Sequence, residues 1–313
     1  MEFSHIPVLY NECLDGLNIK EDGIYVDCTM GGGGHSTGIL ERLSDKGMLI
    51  SFDKDDEALE TCRRRRDEIG RSNWKIVKTD FSRIREVLEE MNIDKVDGIL
   101  ADLGVSSHQI DTDERGFSYV TDGPLDMRMD KTQALSAKVV VNTYGEEELA
   151  RIFRLYGEEK FSGRIAAGIV RDRANKPFER TTELAKAIAS YVPAKARKED
   201  QHPARRCFQA IRIEVNNELA SVETLIKDGI DLLGNEGRMA VISFHSLEDR
   251  IVKEGFKEAM SPCTCPREFP VCVCGKVSKG KVITKKPIVA SSEEIKLNSR
   301  AHCCKLRLFE KGE

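Results

Sequence analysis

Short apolar runs alternate with amphipathic stretches through the first hundred residues. Ile24-Tyr25-Val26-Asp27-Cys28 is a β-rich run that leads into a glycine cluster. Met48-Leu49-Ile50-Ser51-Phe52 repeats the pattern and is followed by the acidic Asp53-Lys54-Asp55-Asp56. Lys75-Ile76-Val77 is a third run, and Gly98-Ile99-Leu100-Ala101, bounded by Asp97 and Asp102, is a fourth. Between the first two, Ser36 is placed to cap a helix with Ile39, Leu40 and Leu43 on one face, and Lys46-Gly47 to end it. Apolar strands separated by helices at this spacing predict a parallel sheet covered on both faces.

After about residue 110 the period changes. Leu149, Ile152, Phe153 and Tyr156 fall at helical spacing, and Leu184, Ile188 and Val192 repeat at four. Phe208, Ile211, Val215 and Leu219 continue in the same way, and Val222, Ile226, Ile230 and Leu233 extend it. Residues 237–244 read as a strand again, with a helix behind it through Leu247, Ile251 and Val252. The tail from 276 predicts two more strands, around Ile288-Val289 and Leu306-Arg307-Leu308. The pattern therefore predicts one α/β sheet, 1–109 and 206–313, interrupted by a helical insertion over 110–205.

Composition narrows the function classes. The 313 residues carry 49 Lys+Arg against 53 Asp+Glu, a net charge of −4, which excludes a chain basic throughout but leaves room for local basic patches. No uninterrupted apolar stretch approaches the roughly 18 residues of a membrane span. The first residues, Met1 to Pro7, lack the basic and apolar regions of a signal peptide, so a cytoplasmic chain without a membrane partner is expected. Of the 10 cysteines, Cys13, Cys28, Cys62, Cys207, Cys303 and Cys304 are scattered and are read as thiols of a reducing compartment.

The stretch Asp27-Cys28-Thr29-Met30-Gly31-Gly32-Gly33-Gly34-His35 is the most informative. Glycines directly after a first strand allow a tight turn whose backbone can touch a ligand. A dinucleotide fingerprint would need a further glycine at 36 or 37, where Ser36 and Thr37 stand, and the phosphate-gripping Gly-Lys-Ser/Thr pattern is absent. The loop instead resembles the first motif of class I S-adenosylmethionine methyltransferases, with Asp27, Thr29, Gly31 and Gly33 in its alternating positions. Asp53, at the end of the second strand, is placed to accept ribose hydroxyls. Asp80-Phe81 follows the third strand, where such enzymes bracket an adenine, and Asp102 closes the fourth.

Longer motifs make the resemblance specific. His5-x-Pro7-Val8-Leu9, Thr29-x-Gly31-x-Gly33-Gly34-His35-Ser36, Asp102-Leu103-Gly104-Val105-Ser106-Ser107-x-Gln109, Gly123-Pro124-Leu125-Asp126-Met127-Arg128-Met129 and Ser243-Phe244-His245-Ser246-Leu247-Glu248-Asp249-Arg250 look like the RsmH (MraW) family. The resemblance runs nearly end to end. It implies a Rossmann-like methyltransferase sheet with an inserted all-helical domain, and S-adenosyl-L-methionine as methyl donor. It also implies transfer to the exocyclic N4 of one cytidine in the decoding region of bacterial 16S ribosomal RNA, in the small subunit or its late precursor. The cofactor contacts it implies are Gly33, Gly34, His35, Asp53, Phe81, Asp102 and Gln109.

Cytosine N4 is a weak nucleophile, so its attack needs in-line placement and acceptors for its hydrogens. Asp102, or carbonyls near it, is the expected acceptor and the expected catalytic residue. His245 is read as a structural or substrate-orienting residue ahead of a general base. An unstacked base has to be presented in splayed RNA. Two basic stretches, Lys195 to Arg212 and Lys276 to Lys286, are candidates to hold its backbone, whereas Arg63-Arg64-Arg65-Arg66 is read as a solvated helix face. Cys263, Cys265, Cys272 and Cys274 leave a structural zinc, a labile disulfide or plain thiols open, with no metal expected.

Overall fold

The computed structural model describes residues 7–194, 202–266, 268, 269, 271 and 273–312. They divide into two compact units, one of residues 1–104 with 219–313 and one of 105–218. The second unit is wider at both ends than the 110–205 stretch expected from periodicity.

In the first unit the elements run α1 (Tyr10–Leu17), β1 (Ile24–Asp27), α2 (Gly34–Arg42), β2 (Met48–Asp53), α3 (Asp56–Ile69), β3 (Trp74–Lys78), α4 (Ile84–Glu90) and β4 (Val96–Asp102). The second unit holds α5 (Ser107–Asp111), α6 (Ala137–Thr143), α7 (Glu146–Leu155), α8 (Ser162–Arg173), α9 (Thr181–Tyr191) and α10 (Ala204–Asn216). The chain then forms α11 (Glu218–Leu232), β5 (Leu233–Ser243), α12 (Ser246–Met260), β6 (Gly280–Val282), α13 (Ser292–Leu297) and β7 (Lys305–Lys311).

The strands form a seven-stranded sheet in the order β3-β2-β1-β4-β5-β7-β6. β1 to β5 are parallel, and β7 pairs antiparallel with both β5 and β6. Alternation along each strand explains why the runs are apolar throughout. Val26, Ile50, Ile99 and Val241 point to one face, against Ile84 and Leu88 of α4, Leu225 and Ile230 of α11 and Phe256 of α12. Tyr25, Leu49, Leu100 and Ala240 point to the other, against Leu14 of α1, Ile39 of α2 and Leu59 of α3. Both faces are buried, as the predicted doubly wound α/β class requires.

Three elements differ from the periodicity reading. The penultimate strand is at 280–282, whereas Ile288 contributes only an isolated bridge to Leu306. The helical run through 208–233 is two helices, broken at Asn217, whose φ of 51° lies in the left-handed region. There the preceding Asn216 turns its amide inward, donating to the Met127 and Arg212 carbonyls and accepting from the Met129 amide. The helix after β1 begins at Gly34 instead of being capped by Ser36.

The second unit has its own core, with Leu149 and Phe153 of α7, Ile165 and Ile169 of α8, Leu184 and Ile188 of α9 and Phe208 and Ile211 of α10. Its long entry segment is pinned by close backbone approaches. A Cβ on Gly123 falls 1.9 Å from the Asp113 carbonyl oxygen, and one on Gly116, at φ 69°, falls 2.0 Å from that of Pro124. These oxygens belong to backbone and cannot swing aside. Gly123→Ala is therefore expected to destabilise this unit by about 2 kcal/mol or more. Urea unfolding followed by circular dichroism checks this, and an unchanged midpoint would count against the packing described.

Candidate functional site

β1 is flanked by β2 on one side and by β4 on the other, so the crossovers that leave their carboxyl ends diverge there. In an open parallel sheet that divergence leaves a crevice beyond the strand ends, the general place for a ligand. Asp27, Asp53 and Asp102 end β1, β2 and β4, and Asp80-Phe81 follows β3. Four acidic groups thus share one edge of the sheet.

Asp27 is buried and belongs to a chain of hydrogen bonds running through the sheet. Trp74 Nε1 of β3 donates to Ser51 Oγ of β2 at 2.9 Å, and Ser51 and Ser36 share a bond of 2.9 Å. Ser36 Oγ of α2 then donates to Asp27 Oδ2 at 2.5 Å, and the Thr29 amide donates to Oδ1 at 3.1 Å. Ser36 gives its single hydroxyl hydrogen to Asp27, so in the bond between the two serines Ser51 donates to Ser36 while accepting from the indole. This explains why Ser36 is no cap: its hydroxyl is consumed inside the fold.

The loop that follows is shaped from both sides. Gly31 and Gly33 have φ of 49° and 80°, where residues with a Cβ are strained. The Gly31 amide donates to Asp53 Oδ2 at 2.8 Å, and Arg65 Nη1 of α3 donates to the Gly32 carbonyl at 2.7 Å. A Cβ on Gly33 falls 2.8 Å from Cys62 Sγ, and one on Gly34 falls 2.3 Å from Pro7 Cγ. Arg65 is thus a loop anchor, not part of a wholly solvated face. Sequence alone offered no signal for it within four identical neighbours.

Asp53 also accepts from the Asp55 amide at 2.9 Å and from the Lys54 amide, so three backbone N–H groups fix the orientation of its carboxylate. Burial raises its pKa to about 6. Lys54 Nζ meets Asp80 Oδ2 at 2.9 Å, and Asp80 Oδ1 accepts from the Ser82 amide. Phe81 is half-buried, one side packed on the sheet core.

Asp102 differs from the others. Its amide donates to Thr29 Oγ1 at 2.6 Å, but Oδ1 is buried without a hydrogen-bond partner among the described residues. Burial first, then the charges of Asp27 and Glu248, push its pKa up to about 8. The nearest ring is His35, whose Nε2–H donates to the Val8 carbonyl at 3.2 Å. Burial lowers the pKa of His35 to about 4, so the ring is neutral and its Nδ1 lone pair faces Asp102 Oδ2 at 3.8 Å. That distance is too long for a hydrogen bond.

The other anticipated residues sit in local roles. Gln109 belongs to the second unit, where its Oε1 accepts from the Ser106 amide at 3.0 Å while Ser106 Oγ accepts from the Gln109 amide at 3.2 Å, a capping box for α5. His245 caps α12, with Nε2 3.1 Å from Glu248 Oε1. Of the first basic stretch, Lys195, Arg197, Lys198, Glu199 and Asp200 lie outside the described residues, and Arg212 forms a bidentate pair with Glu218 at 2.8 and 2.7 Å. In the second stretch Lys279 pairs with Asp231 and Lys281 with Glu310, while Lys276, Lys285 and Lys286 are exposed.

The edge fits a cationic nucleoside better than a diphosphate. It gathers carboxylates, one of them with a buried oxygen lacking a partner, and like charges repel a pyrophosphate. The same arrangement has a cost. Asp102 titrates near 8 in the folded chain against an ordinary 3.8, so between those values the folded chain keeps a proton that the unfolded chain has lost. Its contribution to stability therefore falls as pH rises through that window. Asp102→Asn is expected to stabilise the ligand-free protein at pH values above about 8, by roughly 1–3 kcal/mol, and to flatten the fall. Thermal unfolding across pH checks this; an equal loss of stability at every pH would contradict it.

Comparison with known proteins gives the family of the chain. Residues 2–312 match the model of the MraW methylase family. The chain is 54% identical to the ribosomal RNA small subunit methyltransferase H of Clostridioides difficile, over 99% of this chain and 100% of that one. It is 55% identical to the protein of the same name from Clostridium botulinum, with the same coverage. Among solved structures, an rRNA methylase from Streptococcus thermophilus aligns over 99% of this chain and all of its own, at 12% identity and a TM-score of 0.45. With residues 2–312 matched by the family model and relatives 54–55% identical over 99% of its length, the chain belongs to the MraW methylase family.

Proposed function

We propose that this methylase transfers the methyl group of S-adenosyl-L-methionine to the exocyclic N4 of one cytidine in the decoding region of 16S ribosomal RNA, in the small subunit or its late precursor. The relatives named above support ribosomal RNA as the substrate class. Such a substrate makes the cytoplasm the place of work. The observation that carries the chemistry is the Oδ1 of Asp102, buried without a hydrogen-bond partner among the described residues at the end of β4, next to the switch point between β1 and β4.

S-adenosyl-L-methionine supplies an electrophilic methyl on a sulfonium cation. Gly31 and Gly33, at positive φ, and Gly33 and Gly34, with no room for a Cβ, would give that ligand a close backbone surface. Asp53 offers its remaining lone pairs to ribose hydroxyls, held in orientation by the Gly31 and Asp55 amides. Phe81 offers its exposed side to an adenine ring. His35, neutral and tied to Val8, lines the site without adding a charge that would repel a cation.

Asp102 loses its proton more readily once a positive charge is held beside it. Its ionised Oδ1 then accepts a hydrogen of the cytosine amine, drawing that nitrogen toward tetrahedral geometry and aligning its lone pair. The methylated amine is a strong acid and sheds its proton without a strong base. His245, occupied as a helix cap, stays outside this step.

The direct test is to map modified nucleotides in small-subunit RNA from cells with and without the chain. Loss of methyl from a single cytidine N4 is expected; an unchanged map, or loss at a base carbon, would overturn the assignment. The role of Asp102 has its own readout. Because its ionised form is the working one, kcat/KM for the methyl donor is expected to climb about tenfold per pH unit below about 8 and to level off above it. Asp102→Asn is expected to lower single-turnover methyl transfer by about 100-fold or more and to abolish that slope. A variant that binds the donor weakly yet reacts at the normal single-turnover rate would remove Asp102 from the chemistry.

A further inference from the structure

We propose that the excursion between α12 and β6 is a thiolate metal knuckle, holding one zinc-type divalent ion through Cys263, Cys265 and Cys274. The Sγ atoms of these three residues lie within 4.8 Å of one another, close enough to share a single ion. Cys274 and Cys263 approach to 3.8 Å, nearly twice the length of a disulfide. The Val273 amide donates to Cys265 Sγ at 3.3 Å, the kind of backbone contact that orients and stabilises a thiolate ligand. Gly275, at φ 65°, turns the chain directly after Cys274. Cys272, the remaining thiol of the sequence cluster, lies outside the described residues.

The energetics of the segment point the same way. Among its described residues, 261–279 contain no helix or strand and no buried side chain. Phe269, Val271, Val273 and Val277 are all more than half exposed. A loop of this length without regular structure is uncommon in a compact domain unless something orders it. Its base is closed by the Lys279 amide donating to the Ala259 carbonyl at 2.8 Å, and Lys279 Nζ is held by Asp231 at 2.6 Å. Above that base no apolar core holds the thiols together. A bound ion supplies what the core does not, since metal binding to an otherwise unsupported segment is itself folding free energy.

The chemistry of the donors selects the ion. Thiolates favour soft or borderline cations, and a cluster of sulfur donors with no carboxylate matches tetrahedral zinc instead of magnesium or calcium. The role is structural. β6 runs parallel to β5 through their common antiparallel neighbour β7, so the knuckle that precedes it lies at the edge of the sheet opposite the carboxyl ends that carry Asp27, Asp53 and Asp102. This inference does not depend on the methyl acceptor proposed above.

The test uses the full-length protein purified without chelator and its Cys263→Ser/Cys274→Ser variant. Elemental mass spectrometry is expected to find about one zinc ion per chain in the parent and at least tenfold less in the variant. Methyl transfer is expected to be retained in both. Trypsin is expected to cut at Lys276 and Lys279 much faster in the variant, or in the parent after a thiol-reactive mercurial strips the ion. A parent chain reconstituted with cobalt keeps the proposal testable if the variant folds poorly, because sulfur-to-cobalt charge-transfer absorption counts thiolate ligands. Metal content equal in parent and variant, fewer than three thiolates on cobalt, or a Cys263–Cys274 disulfide in a metal-free parent would each overturn it.

Discussion

The hydrogen-bond chain from Trp74 through Ser51 and Ser36 to Asp27 is the constraint on which the rest of the site depends. It fastens β3, β2, α2 and β1 to one another inside a core that is otherwise apolar. Every member has a partner, so burial of these polar groups specifies one register in place of destabilising the sheet. Once Asp27 is fixed, Thr29 is fixed with it, and Thr29 receives the amide of Asp102 across the β1–β4 boundary. The position of the Asp102 carboxyl is thus inherited from an indole three strands away in the sheet.

The glycine loop follows the same logic. Its conformation is not left to the permissiveness of glycine. Asp53, Arg65 and Cys62 each take hold of one of its backbone groups, from two different elements. Pro7 and Cys62 occupy the space that side chains at 34 and 33 would need. A loop held this way meets a ligand with its shape already set, so less ordering is needed on binding.

Much of this was legible in the residues. The strand runs β1 to β4 end within a residue or two of their observed limits because buried parallel strands are written as continuous apolar runs. The acids closing them stand out against that background. What escaped the reading was decided by partners distant in sequence. Ser36 has the composition of a cap, but a carboxylate on β1 and a hydroxyl on β2 recruit it into the core. Arg65 is indistinguishable from Arg63, Arg64 and Arg66 until the helix is laid against the loop. The break at Asn217 depends on Asn216 reaching Met127 and Met129, far upstream. The periodicity around Ile288 is real, yet a single bridge to Leu306 does not make a strand.

β7 pairs with β5 on one side and β6 on the other, so residues 305–311 lie within the sheet and not at its margin. During synthesis β5 emerges some seventy residues before its neighbour does. Over that interval its hydrogen-bonding edge, lined by Met239, Val241 and Ile242, has no strand beside it. The order in which the ribosome releases the chain therefore leaves a nascent edge open to wrong pairings, and it stays open until β7 arrives to close it.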